Sequence, residues 1–300
     1  MAAASPKFSI VIPSYNYGRF VSRAIDSALA QSGDDFEVVV VDDGSKDDTP
    51  GVVARYGDRI RSYRHANCGA AATRNRGAEL ASGEYLLFLD ADDRLIPTAL
   101  THFREALAQR PDARMIFGHH ISIAEDGSRH EARPQPTLRS NIEDFRDYLD
   151  RKFGISHGTV LMRRDNFQTV RYPVGISNGE DIVLFAQTLA LFPCVTIPHA
   201  LAEICAHDQR MRNNLQRIRE SGLHVVDAMF RADLLPPEMM ACRTLFLARR
   251  HLSLARSFYR GKCYREAREH FRAAFRARWT LALNPTHTVR YLKTVMRKAA

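Results

Sequence analysis

Glu84-Tyr85-Leu86-Leu87-Phe88-Leu89-Asp90-Ala91-Asp92-Asp93 decides how the rest of the chain reads. Apolar side chains at consecutive positions suit a strand buried on both faces, as in a parallel sheet. The run stops in three carboxylates within four positions, which places the acids at the C-terminal end of the strand. Open α/β sheets bind their ligands at that end. Crowded carboxylates repel one another, and a hard divalent cation such as Mn²⁺ or Mg²⁺ relieves the repulsion. The plain alternative is a polar strand-to-helix turn, with Asp93 capping a helix that begins near Pro97.

Upstream, two more strands end in polar clusters. Phe8 to Ile12 is a β-branched run closed by Pro13 and followed by the turn-rich Ser14-Tyr15-Asn16-Tyr17-Gly18. Phe36 to Val41 leads into Asp42-Asp43-Gly44-Ser45, where Ser45 and Asp48 fit the capping box of a short helix toward Tyr56. Phe20, Ala24, Ile25 and Ala28 recur at helical spacing between these strands, Ile60 to Tyr63 reads as a third strand, and the Ala-rich Gly69 to Ala81 reads as a helix. Strands alternating with helices give βαβ units and a largely parallel sheet. The clusters at 14–16, 42–43 and 90–93 then meet along one sheet edge.

Downstream, Pro97 to Gln109 reads as a helix and Ala113 to Ile123 as a strand. Glu125 to Ser140 is a polar, Pro-containing loop, and Gly158 to Met162 a buried strand. Ser177-Asn178-Gly179-Glu180-Asp181 opens an apolar helix over 182–192, and the mostly apolar Val195 to Ala206 follows. From about Met211 the pattern is helical to the end. Leu254 to Phe275, turning at Gly261, resembles one helix pair of a tetratricopeptide repeat, which cannot stand alone and must pack on the rest.

Composition bounds the class. With 300 residues, 45% apolar and 26% charged, the chain buries a sizeable core. No apolar run is long enough to span a bilayer, and the first ten residues lack the pattern of a signal peptide. Five scattered cysteines without close pairing fit free thiols in a reducing compartment. The net charge of +9 is uneven: residues 201–300 hold 20 Lys+Arg against 8 Asp+Glu, while residues 1–200 hold 23 against 26. A basic helical surface of this kind meets anionic lipid or a polyanionic acceptor, or is simply a solvated Arg-rich face. Nucleic-acid binding would rest on the basic tail alone, without a recognisable reader motif, and no nucleic-acid partner is expected.

Five pieces in order carry a resemblance: Val11-Ile12-Pro13-Ser14-Tyr15-Asn16; Val40-Val41-Asp42-Asp43-Gly44-Ser45; Asn67-x-Gly69 with Ala72-Thr73-Arg74-Asn75-x-Gly77; Asp90-Ala91-Asp92-Asp93; and Gly179-Glu180-Asp181. Over roughly residues 7–210 the chain resembles a family 2 glycosyltransferase. The resemblance implies a GT-A-like, Rossmann-type, mostly parallel sheet flanked by helices, with a C-terminal helical extension. It implies a catalytic domain over 1–210, with a nucleotide-sugar half at about 7–110 and an acceptor half at about 111–210. Residues 211–300 form the basic extension. The implied activity is inverting transfer of a sugar from a nucleotide sugar, UDP-linked, to a glycan or lipid-linked acceptor. The implied place is the cytoplasm, with peripheral contact to the anionic cytoplasmic face of the membrane.

Residue by residue, the resemblance puts Pro13, Tyr15 and Asn16 at the nucleotide, with Tyr15 stacked on uracil. It gives Asp43 a hydrogen bond from the base N–H and counts Asn67 among the donor-binding residues. Arg74 borders the diphosphate, where a guanidinium fork suits phosphate oxygens. Asp92 is implied as the direct ligand of the divalent cation, with Asp90 holding ribose or a metal-bound water. Asp181 is implied as general base and Glu180 as its support, at a helix N-terminus that favours ionised carboxylates. For these two the plain alternative is a Ser177–Glu180 capping box, which leaves Asp181 without a role. His207 corresponds to a His on a loop over the donor diphosphate.

Two other functions compete. A sugar nucleotidyltransferase usually carries a Gly-rich, basic phosphate loop after its first strand, where this chain has Pro13-Ser14-Tyr15-Asn16. A non-catalytic carbohydrate- or membrane-binding protein would have no use for Asp90, Asp92 and Asp181 together.

Overall fold

A computed structural model describes residues 6–206, 215–283 and 285–296. The elements in chain order are β1 (Phe8–Ser14), α1 (Val21–Leu29), β2 (Phe36–Asp42), α2 (Thr49–Ala54), β3 (Arg61–Arg64), α3 (Ala70–Leu80), β4 (Tyr85–Phe88), β5 (Arg94–Leu95) and α4 (Ala99–Gln109). Then come β6 (Met115–Ile123), β7 (Arg129–Glu131), α5 (Asn141–Leu149), β8 (Val160–Arg163), α6 (Glu180–Leu191) and β9 (Cys194–Cys205). The remainder is helical: α7 (Leu215–Ser221), α8 (His224–Met229), α9 (Pro237–Met240), α10 (Arg243–Arg260), α11 (Tyr264–Ala277), α12 (Trp279–Ala282) and α13 (Pro285–Met296).

Among the described residues nine strands form one mixed sheet in the order β3-β2-β1-β4-β8-β6-β9-β5, with β7 on β6. The first half is parallel, as expected from the strand–helix alternation: β1 lies between β2 and β4, and β3 follows β2. The second half departs from that pattern. β8 inserts between β4 and β6, antiparallel to both, although it follows β6 by more than thirty residues. A short buried strand such as Val160 to Arg163 carries no local mark of its pairing direction.

Burial on both faces explains the continuous apolar runs. Val39, Val41, Leu86 and Phe88 point to a core shared with α5 and α6, while Ile10, Ile12, Val38, Val40, Leu87 and Leu89 point to one shared with α1 and α4. Helix α3 approaches β1 closely at Gly77, where an added Cβ would lie 2.4 Å from Val11 Cγ1. Gly77→Ala is expected to lower stability by about 1–3 kcal/mol, read as a denaturation midpoint, since a packed strand cannot yield that much space.

The helix pair legible at 254–275 is present as α10 and α11, turning at Gly261. It packs on the rest of the molecule through Phe246, which belongs to the same core as Phe145 and Phe230, and through an Arg249–Asp150 ion pair at 2.9 Å. Two local expectations are corrected. Ser45 does not cap α2: its hydroxyl accepts from Asn16 N at 2.9 Å, and Asp48 precedes the helix without a side-chain cap. Asp93 does not cap α4, whose N-cap is Thr98; its Oδ1 accepts from Cys205 N at 3.0 Å and ties the end of β9 to the β4 loop. In both cases a tertiary partner took the side chain that a local motif would have used.

Candidate active site

The loops that leave the sheet edge converge on a cavity of about 570 Å³. Pro13, Tyr15, Asn16, Asp43, Asn67, Arg74, Asp90, Asp92, Glu180 and Asp181 all line it. His207, the remaining candidate from sequence, lies outside the described residues.

At one end the loops after β1 and β2 are tied together by Asn16. This residue adopts a left-handed conformation (φ 57°), which Asn tolerates better than most residues. Its backbone N–H donates to Ser45 Oγ, and its side-chain oxygen accepts from Lys46 N at 2.8 Å. Tyr15, half-buried, stands beside this clamp. Asp43 is buried, and its carboxylate orders the loop that opens α3. Oδ1 accepts from Cys68 N at 2.7 Å, and Oδ2 accepts from Gly69 N at 2.9 Å and Asn67 Nδ2 at 3.0 Å. Tyr15, Asp43 and Asn67 all line the cavity, the last two joined by their side chains.

The centre is a charge network that joins three distant parts of the chain. Arg74 on α3 is 5% exposed. Its Nη2 donates to Asp90 Oδ1 at 2.7 Å and its Nη1 to Glu180 Oε1 at 3.0 Å, while its guanidinium sits 5.5 Å from the ring centroid of Tyr172. Both terminal nitrogens of the expected phosphate fork are therefore engaged by carboxylates. His157 adds a second neighbour, with Nδ1 3.6 Å from Asp90 Oδ2 and Nε2 3.0 Å from Tyr172 OH. Burial alone would raise the Asp90 carboxyl, but Arg74 and His157 outweigh it and hold Asp90 well below the usual carboxylate range. Glu180 moves the other way: burial and the charge of Asp181 raise it, and Arg74 offsets only part of that.

Asp181 is set apart from this network. It is half-exposed at the start of α6, and its Oδ1 accepts from Ile182 N at 2.8 Å. Gly179, at φ 96°, supplies the left-handed turn that lets the loop enter the helix. Ser177 bonds Ser221 across the structure, so the Ser177–Glu180 capping box is absent.

The carboxylates of Asp90, Asp92 and Asp93 offer oxygens within 4.8 Å of one another. This all-oxygen donor set is what a hard divalent cation takes. All three line the cavity; Asp93 is buried and its Oδ1 holds Cys205 N, while Asp90 and Asp92 are the less buried pair.

His157 and Tyr172 went unnoticed in the sequence. His157 sits in Gly154-Ile155-Ser156-His157-Gly158, with no spacing to another polar residue that would single it out. Only the antiparallel insertion of β8 brings it to Asp90.

Glycosyl transferase family 2 matches residues 9–171, and the chain belongs to that family. An uncharacterized glycosyltransferase of Rickettsia felis is 40% identical over 161 residues, covering 52% of this chain and 27% of its own length. The amylovoran biosynthesis glycosyltransferase AmsB of Erwinia amylovora is 28% identical over 217 residues, covering 63% of this chain and 70% of its own. The chain spans only between 23% and 39% of the length of the first three curated relatives. Among solved structures, S. aureus TarS 1-349 in complex with UDP-GlcNAc aligns over 90% of this chain and 81% of its own, with a TM-score of 0.65 and 20% identity. The mannosyltransferase PcManGT of Pyrobaculum calidifontis, in complex with GDP-Man and Mn²⁺, aligns over 98% and 85% with a TM-score of 0.57 and 17% identity. At that identity the likeness shows the fold, a GT-A-like α/β sheet flanked by helices and followed by C-terminal helices.

Proposed function

We propose that the protein is an inverting glycosyltransferase that moves a sugar from a UDP-sugar to a glycan or lipid-linked acceptor. One observation carries the reading: a single cavity is lined by Tyr15 and Asp43, by Asp90 and Asp92, and by the carboxylate Asp181, which stands outside the Arg74 ion pairs. Complexes of similar folds with UDP-GlcNAc and with GDP-Man and Mn²⁺ support a nucleotide-sugar donor.

In this reading Tyr15 stacks on the uracil, and Asp43 holds the Asn67–Gly69 loop that frames the base. Asp90 and Asp92 would hold Mn²⁺ or Mg²⁺, which when bound neutralises charge on the donor diphosphate. Arg74 and His157 keep Asp90 ionised for that task. Asp181 takes the proton of the acceptor hydroxyl as its oxygen bonds to the anomeric carbon and the bond from that carbon to the diphosphate oxygen breaks. Glu180 is spent on Arg74 and supports the site.

The catalytic part is assigned to residues 1–210 and the basic extension to 211–300. Val225, Met229, Phe230 and Phe246 pack in the core of α5 and α6, so the extension is built onto the catalytic part. The whole is placed peripherally at the cytoplasmic face of an anionic membrane.

Asp92→Asn is expected to weaken UDP binding in the presence of Mn²⁺ by well over tenfold, more than about 1.4 kcal/mol. Calorimetry reads this directly. Equal UDP affinity in EDTA and in Mn²⁺ would remove the metal from the account.

A further inference from the structure

The basic C-terminal residues singled out by composition divide into two groups. Several are consumed inside the fold. Arg249 pairs with Asp150, Arg250 is buried and donates to Gly222 O, and Arg268 donates to Thr294 O. Others stand free in solvent farther along: Arg276, Arg278 and Lys293 are exposed. Residues 270–300 hold seven Lys and Arg and no Asp or Glu.

The same segment carries the exposed apolar surface. Among the described residues seven large apolar side chains stand exposed, and six of them fall between 275 and 295. Trp279 is 59% exposed and Leu292 53%. On α13 the two faces are distinct. Tyr291 stacks on Phe271 at 4.4 Å and Thr294 is buried, which fixes the inward face. Helical periodicity then turns Val289, Leu292 and Val295 outward on one side. Trp279 and Leu283, four positions apart, share another such side.

We propose that α12 and α13 form a docking surface for an anionic lipid bilayer, lying in the plane of the headgroups. Exposed apolar side chains interspersed with exposed Lys and Arg, a Trp among them, suit that interface: the apolar side chains enter the acyl boundary and the cations meet anionic headgroups. Nucleic acid would match the charge but would leave the aliphatic face uncovered. No helix among the described residues is long and apolar enough to cross the membrane, so the contact is peripheral. This surface deepens the peripheral placement proposed above and is independent of the transfer chemistry, so failure of vesicle binding and failure of donor binding are read separately.

Trp279 is the only tryptophan of the chain, and its fluorescence reports the surface without a label. The full chain is titrated with vesicles of phosphatidylcholine and phosphatidylglycerol in equal parts, and with pure phosphatidylcholine. Emission is expected to move to shorter wavelength with the mixed vesicles only, and the shift is expected to shrink as salt rises. The double variant Arg276→Gln, Lys293→Gln should weaken vesicle binding about tenfold or more. Val289→Ser with Leu292→Ser should also weaken it, while circular dichroism and UDP affinity stay at parental values in both. An unchanged spectrum with the mixed vesicles overturns the proposal, as does an equal shift with neutral ones. Trp279 shielded from acrylamide without lipid, together with a dimer in size-exclusion chromatography, assigns the face to a second copy and overturns it as well.

Discussion

Asp181→Asn is expected to slow sugar transfer at least about a hundredfold while UDP and metal binding stay at the parental level. The geometry separates the two properties. Asp181 lies on the wall of the cavity that holds Asp90 and Asp92, yet it makes no contact with Arg74, which joins Asp90 to Glu180. Its Oδ1 accepts from Ile182 N of its own helix, a bond that the Asn amide oxygen can also accept. What Asn cannot do is take a proton. A group that acts only as the acceptor hydroxyl loses its proton lowers kcat and leaves ground-state binding alone. Removing a general base costs about 10²–10⁴ in rate, roughly 3–5 kcal/mol of barrier. Steady-state rates and UDP calorimetry on the same preparation test both halves. Near-parental turnover with a native circular dichroism spectrum would move the search for the base to Glu180.

The second large effect is on stability. Arg74→Met is expected to cost about 3–5 kcal/mol near neutral pH, because it leaves Asp90 and Glu180 without the cation they share. The sign with pH follows from the two shifts. Asp90 titrates below its ordinary value in the folded protein, so its contribution is present above the usual carboxylate range and is lost as pH falls through the folded value. Glu180 titrates above its ordinary value, so its ionised form is already disfavoured by folding, and it becomes more so once Arg74 is gone. Between neutral pH and about pH 5 the Glu180 effect makes the deficit of the variant smaller, while the Asp90 contribution stays in place there and falls away only below the usual carboxylate range. Urea denaturation of parent and variant at neutral pH and at about pH 5 measures it, with stability read by linear extrapolation. A deficit that is the same at both pH values would show that the charge of Glu180 is not what Arg74 offsets.

The two effects rest on features that differed in how plainly the sequence displayed them. The runs Phe8 to Ile12, Phe36 to Val41 and Tyr85 to Leu89 displayed their strands because nearly every side chain is buried, with only Phe36 and Glu37 half-buried, and each strand ends where the apolar run meets polar residues. Their shared edge followed from parallel pairing alone. The network of Arg74, Asp90, Glu180, His157 and Tyr172 was not displayed. Arg74 and Glu180 are 106 positions apart, and nothing near either residue announces the other. His157 reaches Asp90 only because β8 enters the sheet between β4 and β6. Local motifs misled where tertiary partners competed for them: Ser45 serves Asn16, Ser177 serves Ser221, and Asp93 serves Cys205. The C-terminal surface was legible as charge but not as shape, since composition does not tell the buried Arg250 from the exposed Arg276.

Release of nucleoside diphosphate from a panel of UDP-, GDP- and TDP-sugars, measured with Mn²⁺ and with EDTA, tests the central claim most directly. The account predicts release of UDP from at least one UDP-sugar in Mn²⁺, abolished by EDTA and reduced at least about a hundredfold in Asp181→Asn. Release that persists in EDTA, or that survives undiminished in Asp181→Asn, would contradict it.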